Sequence, residues 1–113
     1  MEYQIENNKN IAILKLSKPI TVYQLQKLKD AFSDVKSQLK QKKNVILDLG
    51  AVSYMDALAL GILVSFSKEL REAGGDVKLV NMNEELKHVL ESSHLDKVYE
   101  SYDNLEAAIK SFS

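Results

Sequence analysis

The segment from Val45 to Gly75 constrains the fold more than any other part of the chain. It begins with the apolar run Val45–Leu47, crosses a short loop, and continues from Asp56 as a long apolar stretch that ends at Gly74-Gly75. The apolar run is typical of a buried strand, and Asp56 is well placed to cap a helix because its carboxylate can accept from backbone N–H groups of the first turn. Glycine readily ends a helix because it adopts the left-handed conformation at little cost. The segment therefore predicts a strand, a loop and a helix, with the loop at the carboxyl end of the strand, where sites of open α/β sheets usually lie.

The composition excludes several classes of protein. Fifteen basic residues oppose sixteen acidic ones in 113 residues, so the net charge is −1, whereas a nucleic-acid-binding domain normally carries a clustered basic excess. Cysteine is absent, which excludes disulfides, a thiol nucleophile and a thiolate metal site. No charged-then-apolar leader begins the chain, and no apolar run approaches the ~18 residues of a membrane span. We therefore expect one cytoplasmic domain over residues 1–113 without direct membrane insertion and without a metal or cofactor.

Strand patterns occur at both ends of the chain and in its middle. After the first two strands, Thr21 and Gln24 have the spacing of a capping box, and apolar residues then recur every three to four positions, which is typical of an amphipathic helix. The predicted strands are Tyr3–Glu6, Asn10–Leu16, Val45–Leu47, Val77–Val80 and Val98–Tyr102. The predicted apolar stripe of the first helix comprises Val22, Leu25, Leu28, Phe32, Val35 and Leu39.

Two further helices follow the segment described first. Either Asn81 or Asn83 is expected to cap a helix that ends near Ser92, and Asp103 with Glu106 is expected to form a second capping box. The element order is then ββαβαβαβα. Strands that alternate with helices after an opening hairpin predict the α/β class, with a mixed, mostly parallel sheet and helices packed on it.

The sequence patterns of common enzyme sites are absent. His88 and His94 lack the i, i+4 spacing and adjacent acid of a zinc-hydrolase helix, and Gly74-Gly75 belongs to no phosphate-binding motif. No serine lies in a GxSxG setting. Asp48 and Asp56, eight residues apart, are either a carboxylate pair or, as we favour, a strand end and a helix cap. We therefore predict that the protein is not an enzyme.

Several motifs follow one another in an order that resembles the STAS domain family, which includes bacterial anti-anti-sigma factors and the cytoplasmic domains of sulfate transporters. These are Asp48-Leu49 at the strand end, Asp56–Gly61 at the helix start, and Gly74-Gly75 at its end. His94–Val98 and Asp103–Ala108 are similar to the last loop and closing helix of the family. The resemblance covers the whole chain, and it implies a single STAS-type domain that binds a regulatory protein without catalysis.

Departures from the family pattern fall in the loop that the resemblance identifies as the binding site. In anti-sigma-factor antagonists, the residue after the loop aspartate is a serine or threonine that the anti-sigma factor, a kinase, phosphorylates. A phosphate adds nearly two negative charges at a docking surface. The matching residue here is Ala57, which has no hydroxyl, and it is followed by Leu58 and Ala59. Thr21 stands where the family has an aspartate before the first helix. Two of the three recognition features of the family are therefore altered, and only Asp56 remains.

The resemblance implies a protein that occupies an anti-sigma factor or a related switch kinase and is not switched by phosphorylation at the usual position. Leu58 either contacts the partner or packs into the core, and Ser53 is an alternative phosphorylation site. The alternative function is an accessory STAS subunit of a bacterial membrane transporter, such as a phospholipid-trafficking ABC system. The partner is expected to bind through the loop at Ser53–Leu60. The predicted partner-binding residues are Thr21, Ser53, Met55, Asp56, Ala57 and Leu58.

Overall fold

The structure, a computed structural model, describes residues 1–38 and 44–112, and its elements follow the predicted order. The strands are β1 (Glu2–Asn8), β2 (Ile11–Ser17), β3 (Asn44–Ala51), β4 (Asp76–Val80) and β5 (Glu100–Tyr102). The helices are α1 (Leu25–Gln38), α2 (Ala57–Glu72), α3 (Glu84–Ser92) and α4 (Leu105–Ser111), and a 3-10 turn, Val22–Gln24, precedes α1. No helix within these described residues is long and apolar enough to cross a membrane.

The five strands form one mixed sheet in the order β1-β2-β3-β4-β5. Strand β1 is antiparallel to β2, whereas every later pair is parallel. The opening hairpin pairs Asn8 with Ile11, so its turn is the two residues Lys9-Asn10. The predicted strands, Tyr3–Glu6 and Asn10–Leu16, would have left residues 7–9 as the turn. Lys9 adopts a positive φ of 57°, as short hairpin turns require. The predicted mixed, mostly parallel sheet is confirmed.

The helices cover the two faces of the sheet unequally. Alternate residues of β2, β3 and β4 pack with α1, α2 and α3 in one large core, and the opposite residues form a smaller cluster with α4. Each of α1, α2 and α3 connects one parallel strand to the next, and such connections have the same handedness. The three helices therefore lie on the same face of the sheet. The smaller cluster has five buried members, which are Ile11, Ile13, Ile46, Val80 and Ala108.

The start of α1 differs from the predicted stripe. Leu28, Phe32 and Val35 are buried as expected, but Val22 is 46% exposed. Residues 22–24 form a 3-10 turn, whose three residues per turn rotate Val22 away from the face that α1 buries. Leu39 lies outside the described residues.

Side-chain caps fix where the later helices begin. Asn83 accepts from the Leu86 N–H at 2.8 Å and so caps α3, whereas Asn81 has a φ of +62° and does not cap. The expected capping box of Asp103 with Glu106 is wrong. Asn104 caps α4 instead, because its amide oxygen accepts from the Ala107 N–H at 2.8 Å.

The carboxyl end of α2 closes on its two glycines, as predicted. The Gly75 N–H donates to the Leu70 carbonyl at 2.8 Å, and the Gly74 N–H donates to the Arg71 carbonyl at 3.1 Å. Gly74 has a φ of +91°. The helix therefore ends in the left-handed conformation that glycine favours, and the two hydrogen bonds close its last turn.

Candidate partner-binding site

An isolated parallel bridge joins the loop after β2 to the loop after β3. Ile20 pairs with Met55, and the Ile20 N–H donates to the Tyr54 carbonyl at 2.8 Å. The Asp56 N–H donates back to the Ile20 carbonyl, also at 2.8 Å. Ile20 and Met55 are both buried, so the bridge is anchored from beneath by the core. Both loops are therefore held side by side at the carboxyl edge of the sheet.

Thr21 caps the first helical turn on this edge. It has an extended backbone, its side chain accepts from the Tyr23 N–H, and the Gln24 side chain accepts from the Thr21 N–H at 2.9 Å. The predicted capping box is therefore present. Because Thr21 directly follows Ile20, the bridge fixes where this cap lies.

Asp56 caps α2 directly after the bridge. Its carboxylate oxygen Oδ1 accepts from the Leu58 N–H at 2.9 Å, as predicted. The acidic side chain also lies at the end of α2 that carries the positive pole of the helix dipole. Two capped helix starts, at Thr21 and at Asp56, are therefore neighbours on one edge.

Large apolar side chains are exposed around these caps. Tyr23 is 91% exposed and Leu58 is 60% exposed, and Val22 and Tyr54 are each more than 40% exposed. We call these four residues the apolar patch: Val22, Tyr23, Tyr54 and Leu58. Only one other large apolar residue within 1–38 and 44–112, Val98, is comparably exposed. Exposed apolar residues concentrated in one place are typical of interaction sites.

The residues predicted to bind a partner lie on or next to this patch, with one exception. Ser53 and Ala57 are exposed, and Thr21 and Asp56 are half-buried. Met55 is 4% exposed, because its side chain supports the bridge from the core, so it cannot offer the partner an apolar contact as expected. Leu58 points to solvent, and the alternative in which it packs into the core is wrong.

Two members of the patch were not expected from the sequence, since the periodicity places Val22 in the buried stripe of a helix and Tyr23 stands out in no motif. Tyr54 lies inside the Ser53–Leu60 loop that is predicted to bind the partner, but it is not among the residues singled out there. The signal that identifies Tyr23 is its position one residue off that stripe and two residues after a capping threonine. Its exposure depends on the 3-10 turn, which the periodicity alone does not predict.

Asp48 does not belong to this site. Its neighbours Leu47 and Leu49 pack into the large core, so its own side chain points to the face that carries α4. There Asp48 Oδ1 accepts from the Gly50 N–H at 3.0 Å and from the Asn81 amide at 3.1 Å. Asp48 and Asp56 are thus a strand residue and a helix cap, as we favoured, and not a carboxylate pair.

The arrangement is suited to binding a protein. It combines an apolar patch with one carboxylate and two capped helix starts, in which the Tyr23 and Leu58 N–H groups donate to the capping side chains. At the first position of α2, Ala57 offers only a methyl group. Within the described part of the chain, no three histidine, aspartate or glutamate residues lie together as a metal site would require.

The comparisons with known proteins agree on the fold. Residues 2–108 match the STAS domain family. The chain is 23% identical over 104 residues to the anti-sigma F factor antagonist of Paenibacillus polymyxa, which covers 92% of this chain and 88% of that protein.

Solved structures extend the likeness to two kinds of protein. The crystal structure of an anti-sigma factor antagonist from Mycobacterium paratuberculosis superposes with a TM-score of 0.85 at 20% identity, covering 97% of this chain and 92% of that one. A sulfate transporter family protein from Wolinella succinogenes superposes with a TM-score of 0.73 at 18% identity, covering 88% of this chain and 81% of that one. At such identities the likeness shows the shared fold.

Proposed function

The chain belongs to the STAS domain family, and from that premise we propose that it acts as an anti-sigma factor antagonist. In this role it is a non-catalytic domain that occupies an anti-sigma factor, or a related switch kinase, and thereby frees the sigma factor. The contact surface consists of the apolar patch together with Thr21, Ser53, Asp56 and Ala57. Similarity over nearly the whole length of the Paenibacillus polymyxa antagonist supports this class of partner.

The observation that carries the proposal is the apolar patch itself. Tyr23 and Leu58 expose most of their side chains next to the two bridged caps. Apolar surface of this kind is stabilised when a partner removes it from water, and each Å² buried contributes about 25 cal/mol before the costs of association. Tyrosine is also enriched among the residues that dominate interface energies.

The second part of the proposal concerns regulation. Ala57 occupies the first position of α2, directly after the Asp56 cap, where the family serine would stand. A methyl group cannot accept a phosphoryl group. Binding is therefore governed by the abundance of the two proteins and not by phosphorylation at this position.

A capture experiment tests the proposal. Tagged wild type is incubated with lysate of the source cell beside Asp56→Lys, Tyr23→Ser and the control Asp103→Lys. Asp103 is exposed and does not cap α4, so the control has the same charge change away from the site. Circular dichroism verifies that each variant is folded, and Tyr23→Ser has little effect on the fold because Tyr23 is 91% exposed.

The identity of the captured protein decides the outcome. We expect a kinase-type ATPase of the anti-sigma class, retained by Asp103→Lys and lost with Asp56→Lys and Tyr23→Ser. Equal recovery by all four proteins, or no such ATPase with the wild type, would overturn the proposal.

A transporter role is the second candidate, favoured by the structural likeness to the Wolinella succinogenes transporter family protein. In that role the same patch would bind the ATPase or permease of a membrane transporter. Recovery of a transporter ATPase in the capture experiment would replace the first proposal with this one.

A further inference from the structure

A groove runs between α1 and α2 and begins at the apolar patch. It has a volume of about 450 Å³, and Leu58 lies at one end of it and Glu69 toward the other. Leu58 is thus shared by the patch and the groove. A partner that covers the patch at Leu58 therefore also contacts one end of the groove.

The floor of the groove is aromatic and rigid. Phe32 of α1 and Phe66 of α2 are stacked with ring centroids 4.2 Å apart and planes 5° from parallel. Both rings are buried, and Ile62 beside them is half-buried. The buried rings form the base of the groove, and its accessible apolar surface comes from Leu58 and Ile62. Side chains held on one helix above this base need little ordering when a partner binds.

Gly61 keeps this groove open. It lies inside α2, where glycine is less favourable than alanine by about 1 kcal/mol. A Cβ added at this position would have nothing within 4 Å, and Gly61 has no positive φ. Neither packing nor backbone conformation therefore requires glycine here, whereas any larger side chain would project into the groove.

Lysines line the α1 side of the groove. Lys36 Nζ is 2.6 Å from Glu69 Oε2 across the groove, and both side chains are largely exposed. Lys29 forms no ion pair with any residue of 1–38 or 44–112. The groove therefore carries a net positive charge that an acidic occupant would match.

We propose that the groove binds an amphipathic acidic helix of the same protein partner, an inference that rests on the proposed function. An apolar stripe with i, i+3, i+4 and i+7 spacing contacts Leu58 and Ile62 in the groove, as in other helix-in-groove complexes. Lys29 and Lys36 are seven positions apart, or about 10.5 Å along α1. They face carboxylates about seven residues apart on the bound helix.

Photo-crosslinking of the captured ATPase locates the contact. A benzoylphenylalanine at Ser65, which is exposed and lines the groove, is compared with one at Ser92, exposed at the end of α3. We expect crosslinks from position 65 only, and mass spectrometry should map them to a helix with an apolar stripe and acidic flank. A crosslink from position 65 to a basic or non-helical segment would overturn the inference.

Affinity measurements with the same purified ATPase separate this inference from the proposed function. We expect Gly61→Gln to weaken binding at least about tenfold by filling the groove, and Lys29→Glu to weaken it about fivefold. Gly61→Ala controls for the loss of glycine and should melt no lower than the wild type. A charge exchange between Lys29→Glu and the mapped acidic residue of the ATPase should restore part of the affinity.

The alternative results are distinguishable. If Tyr23→Ser abolishes binding but Gly61→Gln and Lys29→Glu leave the affinity unchanged, the proposed function stands and the groove inference fails. If the wild type binds no such ATPase, both fail. A wild-type dimer in sedimentation velocity that Gly61→Gln converts to monomer would show that a second copy of the chain occupies the groove, which would also overturn the inference.

Discussion

Ile20 and Met55 pair as a two-residue parallel bridge outside the main sheet, and this pairing determines where Thr21 and Asp56 lie. The two hydrogen bonds that flank it, each 2.8 Å long, join the chain before α1 to the chain before α2. Both bridge residues are buried, so moving either loop would require rearrangement of the core. The proposed binding surface is therefore anchored to the core, although it consists largely of loop residues.

Asp56 contributes to stability through its cap, and this contribution can be separated from its charge. We expect Asp56→Ala to lower the free energy of unfolding by about 1 kcal/mol, because the Leu58 N–H loses its acceptor. Asp56→Asn keeps an oxygen acceptor and should retain most of the stability. Urea denaturation of the three proteins measures both effects. Equal stability of Asp56→Ala and the wild type would contradict the capping role.

Two glycines, Gly50 in β3 and Gly61 in α2, should respond oppositely to substitution by alanine. A Cβ at Gly50 would lie 3.2 Å from both Asn81 Cβ and Asp48 Oδ1. Asn81 cannot easily yield, because its amide bonds Asp48 and its backbone has a positive φ. We therefore expect Gly50→Ala to destabilise the protein by about 1 kcal/mol or more.

Gly61→Ala is the matched comparison, since its Cβ meets no neighbour. It should stabilise the protein by up to about 1 kcal/mol through helix propensity. Thermal unfolding of both variants measures the difference, and a lower melting temperature for Gly61→Ala would show that the glycine is needed by the fold.

Much of this fold is predictable because its local signals agree with its tertiary packing. Thr21, Asp56 and the Gly74-Gly75 pair each act where elementary capping chemistry places them. The prediction that Asp103 caps α4 is wrong because the adjacent Asn104 is an equally good cap. Which of the two residues caps the helix depends on backbone contacts that the sequence does not display.

The proposed binding surface is less predictable from the sequence than the caps beside it. Val22 has the spacing of a buried helical residue, but the 3-10 turn changes the phase and exposes it. Met55, in contrast, was expected to contact the partner but is buried. Its burial depends on the bridge to Ile20, a contact between positions 35 residues apart in the sequence. Neither outcome follows from a local pattern, because each depends on how two distant loops meet.

Tyr99 is a buried residue whose hydroxyl lacks a partner within the described residues. Its side chain is 5% exposed, and the neighbouring Ser67 hydroxyl donates to the Leu63 carbonyl instead. An unpaired buried hydroxyl destabilises a fold, so Tyr99→Phe should raise the free energy of unfolding at pH 7 by about 1 kcal/mol. A loss of similar size would show that the hydroxyl forms a hydrogen bond.

The same variant has a consequence at alkaline pH. Burial raises the pKa of Tyr99, and the positive charge of Arg71 beside the ring offsets part of that rise. A raised folded-state pKa means that the neutral phenol adds stability below its unfolded pKa of about 10, and that this stability is lost as the pH rises through the folded pKa. Urea denaturation between pH 8 and 11 should therefore show a shallower decline for Tyr99→Phe than for the wild type.

The pKa of Glu100 depends on contacts within β5 and between β5 and β4. The Tyr102 hydroxyl donates to Glu100 Oε2 at 2.9 Å, and Lys78 Nζ lies 3.2 Å from the same carboxylate. The hydrogen bond from Tyr102 and then the contacts of Lys78 hold the pKa of Glu100 below its usual range. This group therefore adds stability above its unfolded pKa, about 4.3, that is lost as the pH falls through the folded pKa.

Removing the tyrosine hydroxyl tests this assignment. In Tyr102→Phe, the pKa of Glu100 should rise toward its ordinary value, as measured by NMR titration of the carboxyl carbon. The pKa of Glu2, which a hydrogen bond and ion pair with Lys18 hold down, should not change and serves as the control. An unchanged pKa of Glu100 would assign its shift to Lys78 alone.

Ala57→Ser tests whether the site has lost only its switch. Ala57 is exposed at the start of α2, so a serine hydroxyl there would be accessible, and the helix start would help to hold a phosphate. With ATP and the captured kinase, we expect mass spectrometry to find phosphate on Ala57→Ser and none on the wild type. The phosphorylated variant should bind the kinase at least about tenfold more weakly, because nearly two negative charges are added beside Asp56 and the apolar patch. Phosphate on Ser53 of the wild type would instead show that the switch has moved, and the proposed constitutive binding would then be wrong.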